Sequence, residues 1–315
     1  MVSVTERTRI RLVEWAVLIA IVALAATLRL VRLDLIEFKS DEAKAIALTA
    51  PIVDGGHWPE VGLVSSVGIH NPPVFLYLLA VPMTVSFNPR FVTGSFVGGL
   101  AVLGVLLTFV VIRPRFGAFV ALSATALFAC SPWAVLYARK IWAQDVLPVF
   151  LVVLLYVLFA VSERRRTWLV ALVPVLVGIL WQIHFSAVAL VPVCAVVVLL
   201  RARDVGWLKL LVGIALAVSM LLPYLHFQRT HDWTDVRGFG NMVSGKRADG
   251  GARPPGGGLS FEALKNMFQT GSYLAVIHPF VVINSQPSGA YNHTHYRLSD
   301  RLGTGGGSEA FETLH

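Results

Sequence analysis

Apolar runs with almost no internal charge recur along the first 226 positions, at about 12–33, 91–112, 116–136, 146–161, 167–183, 185–200 and 205–226. A helix needs roughly 20 such residues to cross a hydrocarbon core. The pattern therefore predicts an all-α, multi-pass membrane bundle of about seven spans. The stretch 72–86 is also apolar, but it is short and carries Pro72, Pro73 and Pro82. It predicts a juxtamembrane helix that lies on or dips into the outer leaflet, within one large external loop at 34–90.

Basic residues set the direction of each span. Arg7, Arg9 and Arg11 precede the first run, Arg113 and Arg115 separate the second from the third, and Arg164, Arg165, Arg166, Arg201 and Arg203 occupy later turns. Placing all of them in the cytoplasm gives a cytoplasmic N-terminus and alternating hairpins, provided that 72–86 does not cross. The first run reads as an uncleaved anchor rather than a signal peptide, because so many spans follow it. The hairpin at 167–200 has no charge at its turn, and its rival is a single tilted helix. Two arms are favoured by length and by Gln182 and His184 at the expected external turn.

Composition agrees with a membrane protein: of 315 residues, 56% are hydrophobic and 14% charged, and the mean hydropathy is +0.71. These values exclude an ordinary soluble domain, a disordered chain, collagen and a coiled coil. The net charge of +8 would point to nucleic acid in a soluble protein, but here it belongs mainly to cytoplasmic turns. Cys130 and Cys194 lie in apolar runs and read as packing thiols. After 226 the chain turns polar and Gly-rich, so 1–226 reads as the membrane module and 227–315 as an external tail, expected to be the start of a longer C-terminal part. Within that tail a short helix is expected at 260–269 and an apolar strip at 273–283. His278, His293 and His295 have no assigned role, and Asn292-His293-Thr294 has the form of a glycosylation acceptor.

On this topology the external side collects Asp34, Glu37, Asp41, Glu42, Asp54, His57, Glu60, His70, Tyr137, Arg139, Lys140, Asp145 and His184. Three stretches concentrate the chemistry. Asp41 and Glu42 begin a helix that Ser40 can cap, where carboxylates also suit the macrodipole. His70-Asn71-Pro72-Pro73 launches the short apolar helix. Ser131-Pro132-Trp133 to Asp145 is a turn with two cations and a carboxylate, which also suits an interfacial loop with aromatics at headgroup level.

In this order, the DE pair, HNPPVFLYLL and SPWAVLYARKIWAQDVL resemble the GT-C fold glycosyltransferases that use polyprenyl-phosphate sugars. The likeness is to protein O-mannosyltransferases and lipid A aminoarabinose transferases, of glycosyltransferase family 39 type, over about residues 12–200. The resemblance implies that Asp41 is the catalytic carboxylate, with Glu42 beside it. It implies a polar contact from His70 or Asn71, and matches Arg139 and Asp145 to an Arg and an acidic residue of the second external loop. Many members carry a Lys near the turn at 182–186; here a donor-phosphate contact would fall to His184 in its protonated form.

The residue inventory is suited to that chemistry by itself. Asp41 can deprotonate an acceptor, while Arg139 and Lys140 meet charge on a departing phosphate, with inversion at the sugar carbon. Tyr137 and Asp145 are supporting residues. A divalent cation on Asp41, Glu42, Asp145 and a histidine stays open, since no HExxH-like spacing is present. Trp133, Trp142 and Trp181 are compatible with an outer-leaflet groove for the isoprenoid, although aromatic belts explain such residues too. The expected partners are a polyprenyl-phosphate sugar and a lipid or protein acceptor, at the external face of the inner (plasma) membrane. Rival readings are a transporter or flippase, which calls for ionisable residues deep in several spans, and a non-catalytic assembly subunit.

Overall fold

A computed structural model describes residues 4–35, 38–65 and 68–243. Helices form in every apolar run: α1 (Val4–Leu30), α2 (Ser40–Gly55), α3 (Val74–Met83), α4 (Pro89–Val92), α5 (Gly99–Cys130), α6 (Pro132–Tyr137), α7 (Leu147–Ser162), α8 (Leu172–Ile183), α9 (Leu190–Leu200), α10 (Trp207–Ser219), α11 (Leu222–Thr230) and α12 (Thr234–Val243). Among the described residues there is no strand, only an isolated antiparallel bridge between Val64 and His70. Glu37 and everything after 243, including the predicted segments at 260–269 and 273–283, lie outside the described residues.

α5 is interrupted at Gly117, whose φ of 82° and ψ of 172° are open to glycine but strained for any other residue. The chain doubles back there. Ala25 packs with Val105 and Ala129 in one cluster, and Leu18 with Phe109 and Ala121 in another, so positions before and after the break run antiparallel.

Ion pairs collect the basic turns at one end of the bundle. Arg113 Nε donates to Glu14 Oε1 at 2.6 Å and Arg115 Nε to Glu163 Oε1 at 2.5 Å. Arg164 pairs with Asp204 at 2.8 Å, and Arg201 Nε donates to the Ser162 carbonyl at 2.7 Å. Because 164 meets 204, the segment between them folds back on itself, with its break at His184. That decides for two arms over one tilted helix. α10 in turn packs closely on the start of the first arm: a Cβ at Gly213 would collide with the Ala171 carbonyl.

By length and apolarity, Thr8–Leu30, Pro89–Cys130 and Ala143–Ser162 can each cross a membrane. A fourth candidate is Trp207–Ser219 with Leu222–Thr230, bent by 48°. The apolar pattern predicts seven spans. Thr167–Ile183 and Phe185–Leu200 fall short of that length, and Pro89–Cys130, counted once, contains both the second and the third run on either side of the Gly117 break. Outward positions are strongly apolar, with Phe119, Leu127, Leu200 and Leu208 exposed. Such a surface is costly in water and natural in hydrocarbon.

α3 forms within the apolar stretch 72–86 and packs against protein while leaving Val81 exposed. Val74, Phe75, Leu76, Leu79, Ala80 and Met83 are buried in one core cluster with Ala45, Ile46 and Ile52 of α2, Ile141, Val146 and Ile183. α11 runs unbroken through 226 and 227, and α12 follows it.

Candidate functional site

The end of the bundle opposite the ion pairs brings several chemistry-bearing segments together. α2 begins there. Lys39 takes the cap position, so Ser40 is the first helical residue rather than the cap expected from its type. Glu42, buried, accepts the Lys39 backbone N–H through Oε2 at 3.0 Å. Asp41, one position earlier and about 100° round the helix, is exposed. The two carboxylates are thus differentiated: one holds the helix start, the other faces out.

The turn between α6 and α7 supplies the facing groups. Asp145 sits in a single 3-10 turn, Ala143–Val146, with its backbone N–H on the Trp142 carbonyl at 3.0 Å. Its side chain is buried at 9% exposure, and Oδ2 has no hydrogen-bond partner. Glu42 and Lys140 are its charged neighbours. Lys140 also lies over the Tyr137 ring, with Nζ 5.8 Å from the centroid. Glu42, Lys140 and Asp145, separated by about 100 positions in sequence, therefore share one neighbourhood.

Beside them lies a cavity of about 390 Å³, lined by Ala101, Phe128, Trp133, Tyr137, Trp142, Gln144, Asp145 and Pro148 among others. Its aromatic wall is ordered: Trp133 stacks on Tyr137 at 4.9 Å and 13°, and Tyr137 on Trp142 at 5.8 Å and 24°. Gln144 Oε1 is buried and, like Asp145 Oδ2, lacks a partner. This cavity lies on the α5, α6 and α7 side and includes Trp133 and Trp142, two of the three tryptophans considered for the isoprenoid groove. A second cavity, about 340 Å³ and apolar, lies on α1 around Trp15, Leu18 and Leu106.

Other expected site residues are engaged elsewhere. Arg139 reaches the end of α1, where Nη1 donates to the carbonyls of Leu28 (3.0 Å) and Val31 (2.7 Å), and Nη2 to that of Arg32 (2.6 Å). It caps a helix C-terminus, as a cation there should. Asn71 Nδ2 donates to the Leu63 carbonyl at 2.9 Å. His70 Nδ1 lies 3.1 Å from Asp235 Oδ1, which also accepts the His70 backbone N–H at 3.2 Å. His184 Nδ1 is 2.6 Å from Ser186 Oγ and accepts the Ser186 backbone N–H at 3.3 Å. Burial lowers its pKa below the usual histidine value, so at neutral pH it is uncharged and offers no positive charge to a phosphate. Asp34 pairs with Arg32 at 3.1 Å, which holds its carboxyl below the usual range. Glu60 pairs with His226 at 2.6 Å.

Among the described residues no three His, Cys, Asp or Glu side chains gather closely enough to hold a metal ion. Two features escape a reading by residue type. Asp235 lies in the polar stretch after 226, yet it is buried and accepts from Tyr224 Oη at 3.3 Å and Gln228 Nε2 at 2.5 Å as well as from His70. Arg29, at the end of the first apolar run, is fully buried and donates to the carbonyls of Ala129 (2.8 Å) and Phe128 (3.0 Å). A charge inside an otherwise apolar run was the available signal for Arg29; nothing local marks Asp235.

Compared with protein-family models, curated proteins and solved structures, the chain finds no match in any of the three.

Proposed function

We propose that the protein is a multi-pass glycosyltransferase of GT-C type, moving a sugar from a polyprenyl-phosphate donor to an acceptor hydroxyl or amine at the external membrane face. One observation carries the reading: an apolar helical bundle presents, at a single end, an exposed carboxylate (Asp41) next to a buried group of Glu42, Lys140 and Asp145 and an aromatic cavity. A lipid-borne phosphate sugar needs this combination, because its tail lies in the bilayer while its reacting carbon stands at the boundary.

In the reaction, the acceptor oxygen or nitrogen forms a bond to the sugar C1 as the C1–O bond to phosphate breaks. The acceptor proton passes to the Asp41 carboxylate, and the electron pair leaves with the polyprenyl phosphate. Lys140 offsets the charge on that phosphate as a point charge. Arg139 supports the site indirectly, by fixing the end of α1. The ion-paired end holds the basic turns, so it is the cytoplasmic one under the positive-inside rule. Seven crossings with α3 tucked inside the external half then put Asp41 outside.

The test is transfer by the purified chain in proteoliposomes, with a panel of radiolabelled polyprenyl-phosphate sugars. Asp41→Asn should lower transfer about 10²- to 10⁴-fold, the range of a lost general base, while insertion is retained. Undiminished transfer by this variant would remove the catalytic assignment.

A further inference from the structure

We propose that the corner formed by the turn after α7 and the start of α10 binds an anionic phospholipid, in the leaflet at the ion-paired end of the bundle. This surface lies away from Asp41 and stands whether or not the chain transfers sugar.

The two segments are tied together. Arg164 pairs with Asp204 at 2.8 Å, and Arg201 Nε donates to the Ser162 carbonyl at 2.7 Å. Gly213 of α10 abuts the Ala171 carbonyl. Residues 164–168 and 203–209 therefore share one corner, and its cations outnumber the acids that could meet them. Glu163 is taken by Arg115 at 2.5 Å and Arg165 at 3.0 Å, and Asp204 by Arg164. Arg166, Arg203 and Lys209 are exposed and meet no carboxylate among the described residues. Arg166 Nη1 donates instead to the Tyr156 hydroxyl at 3.1 Å, which steadies its guanidinium. α10 starts at Trp207 without a side-chain cap, so the positive end of its dipole adds to these cations.

Apolar surface continues directly from the charge. Trp168 and Trp207 are half-exposed in the same corner, and Leu208 and Leu211 follow, exposed, along α10. Indole rings in such a place settle among lipid headgroups. The order of cation, indole and aliphatic chain matches the phosphate, glycerol and acyl chains of a phospholipid. Arginine forks and a lysine point charge suit a phosphate diester. A zwitterionic lipid brings an ammonium group that the surplus cations repel. Free phosphate or a nucleic acid would meet the charges but leave the tryptophans and leucines uncovered.

The experiment is native mass spectrometry of the full chain, released from non-ionic detergent containing equal amounts of phosphatidylglycerol and phosphatidylcholine. Wild type should retain phosphatidylglycerol over phosphatidylcholine about tenfold, and Arg166→Gln/Arg203→Gln/Lys209→Gln should lower that ratio at least about fivefold, the scale of one cation at an anionic surface. Arg166→Lys/Arg203→Lys, which keeps the charges, should hold it within about twofold. Lys209→Gln alone, a single change at an exposed position, leaves folding out of the result and should lower the ratio about two- to fivefold. Arg9→Gln/Arg11→Gln removes exposed cations of α1 instead and should leave the ratio unchanged. A wild-type ratio near one, an unchanged ratio in both the triple variant and Lys209→Gln, or an equal loss in the α1 control overturns the site. Displacement of the lipid by millimolar glycerol 3-phosphate, which carries the phosphate without the chains, would mark a simple anion site and overturn it too.

Discussion

Replacing Asp235 with Ala should release α11 and α12 from the first long loop. The wild-type carboxylate accepts four hydrogen bonds, from the His70 backbone and ring, Tyr224 and Gln228. Alanine leaves those donors unmet, but at different cost. The His70 side chain is about one-third exposed and can rehydrate, whereas Gln228 is 0% and Tyr224 6% exposed. Each buried donor left without a partner costs about 1–3 kcal/mol, and removing a buried carboxylate returns part of that through its own desolvation. The net is a loss of about 3 kcal/mol, or roughly 6–12 °C in thermal midpoint for a bundle of this size. Because membrane helices need not unfold in one step, hydrogen exchange in nanodiscs is the sharper assay. Protection should fall at 63–65, 69–71 and 222–243 and stay unchanged along 99–130 and 147–162. Asp235→Asn, which keeps one acceptor oxygen, should lose about a third as much. Wild-type exchange at 69–71 in Asp235→Ala, or a loss spread evenly over α5 and α7, would refute the clasp.

Two further outcomes follow from single side chains. Arg29→Met should lower the thermal midpoint by an amount equivalent to about 3 kcal/mol, since it strips the charged donor from the Ala129 and Phe128 carbonyls; Arg29→Lys should recover less than half, because one ammonium does not span both carbonyls as a guanidinium fork does. His184 has a lowered pKa in the folded state, so the unfolded chain binds its proton first. Stability supplied by the neutral ring is full above the unfolded value of about 6.5 and falls as pH drops through and below it. Asn at 184, which keeps an acceptor for the Ser186 N–H, should flatten that acid limb in pH-dependent melting.

The helices were legible because burial in hydrocarbon imposes a long apolar run on each one, and the hairpins because basic residues cluster between runs. Arg113, Arg115, Arg164 and Arg201 do lie together at one end, each with a partner that the pattern did not name. Partnership is what residue type leaves open. Arg139 and Lys140 are adjacent and equally cationic, yet one reaches back to α1 while the other stays with Tyr137 and Asp145. Their divergence follows from the turn after α6, which sends consecutive side chains to opposite sides, and no period announces it. Asp235 was invisible for a related reason: its contact with His70 spans 165 positions, and a polar, Gly-rich neighbourhood resembles a free tail. α3 was legible as a helix, but its packing on α2 was not, because a short apolar run looks alike whatever covers it.

The two ends of the bundle are held to different standards of polar satisfaction. At the basic end, Glu14, Glu163 and Asp204 all meet arginines. The six buried side-chain atoms without a partner among the described residues belong to Arg29, Thr93, Gln144, Asp145 and Gln182, and all five residues lie at the other end. At about 1–3 kcal/mol apiece, such a concentration costs an amount comparable to the whole stability of a typical domain. Random imperfection would scatter these atoms over both ends. Two of them, Gln144 and Asp145, border the aromatic cavity, and Glu42 and Lys140 are the charged neighbours of Asp145, so part of this unmet polarity sits at the proposed site. Relief of that cost is then available as binding energy, and the ion-paired basic end need not take part.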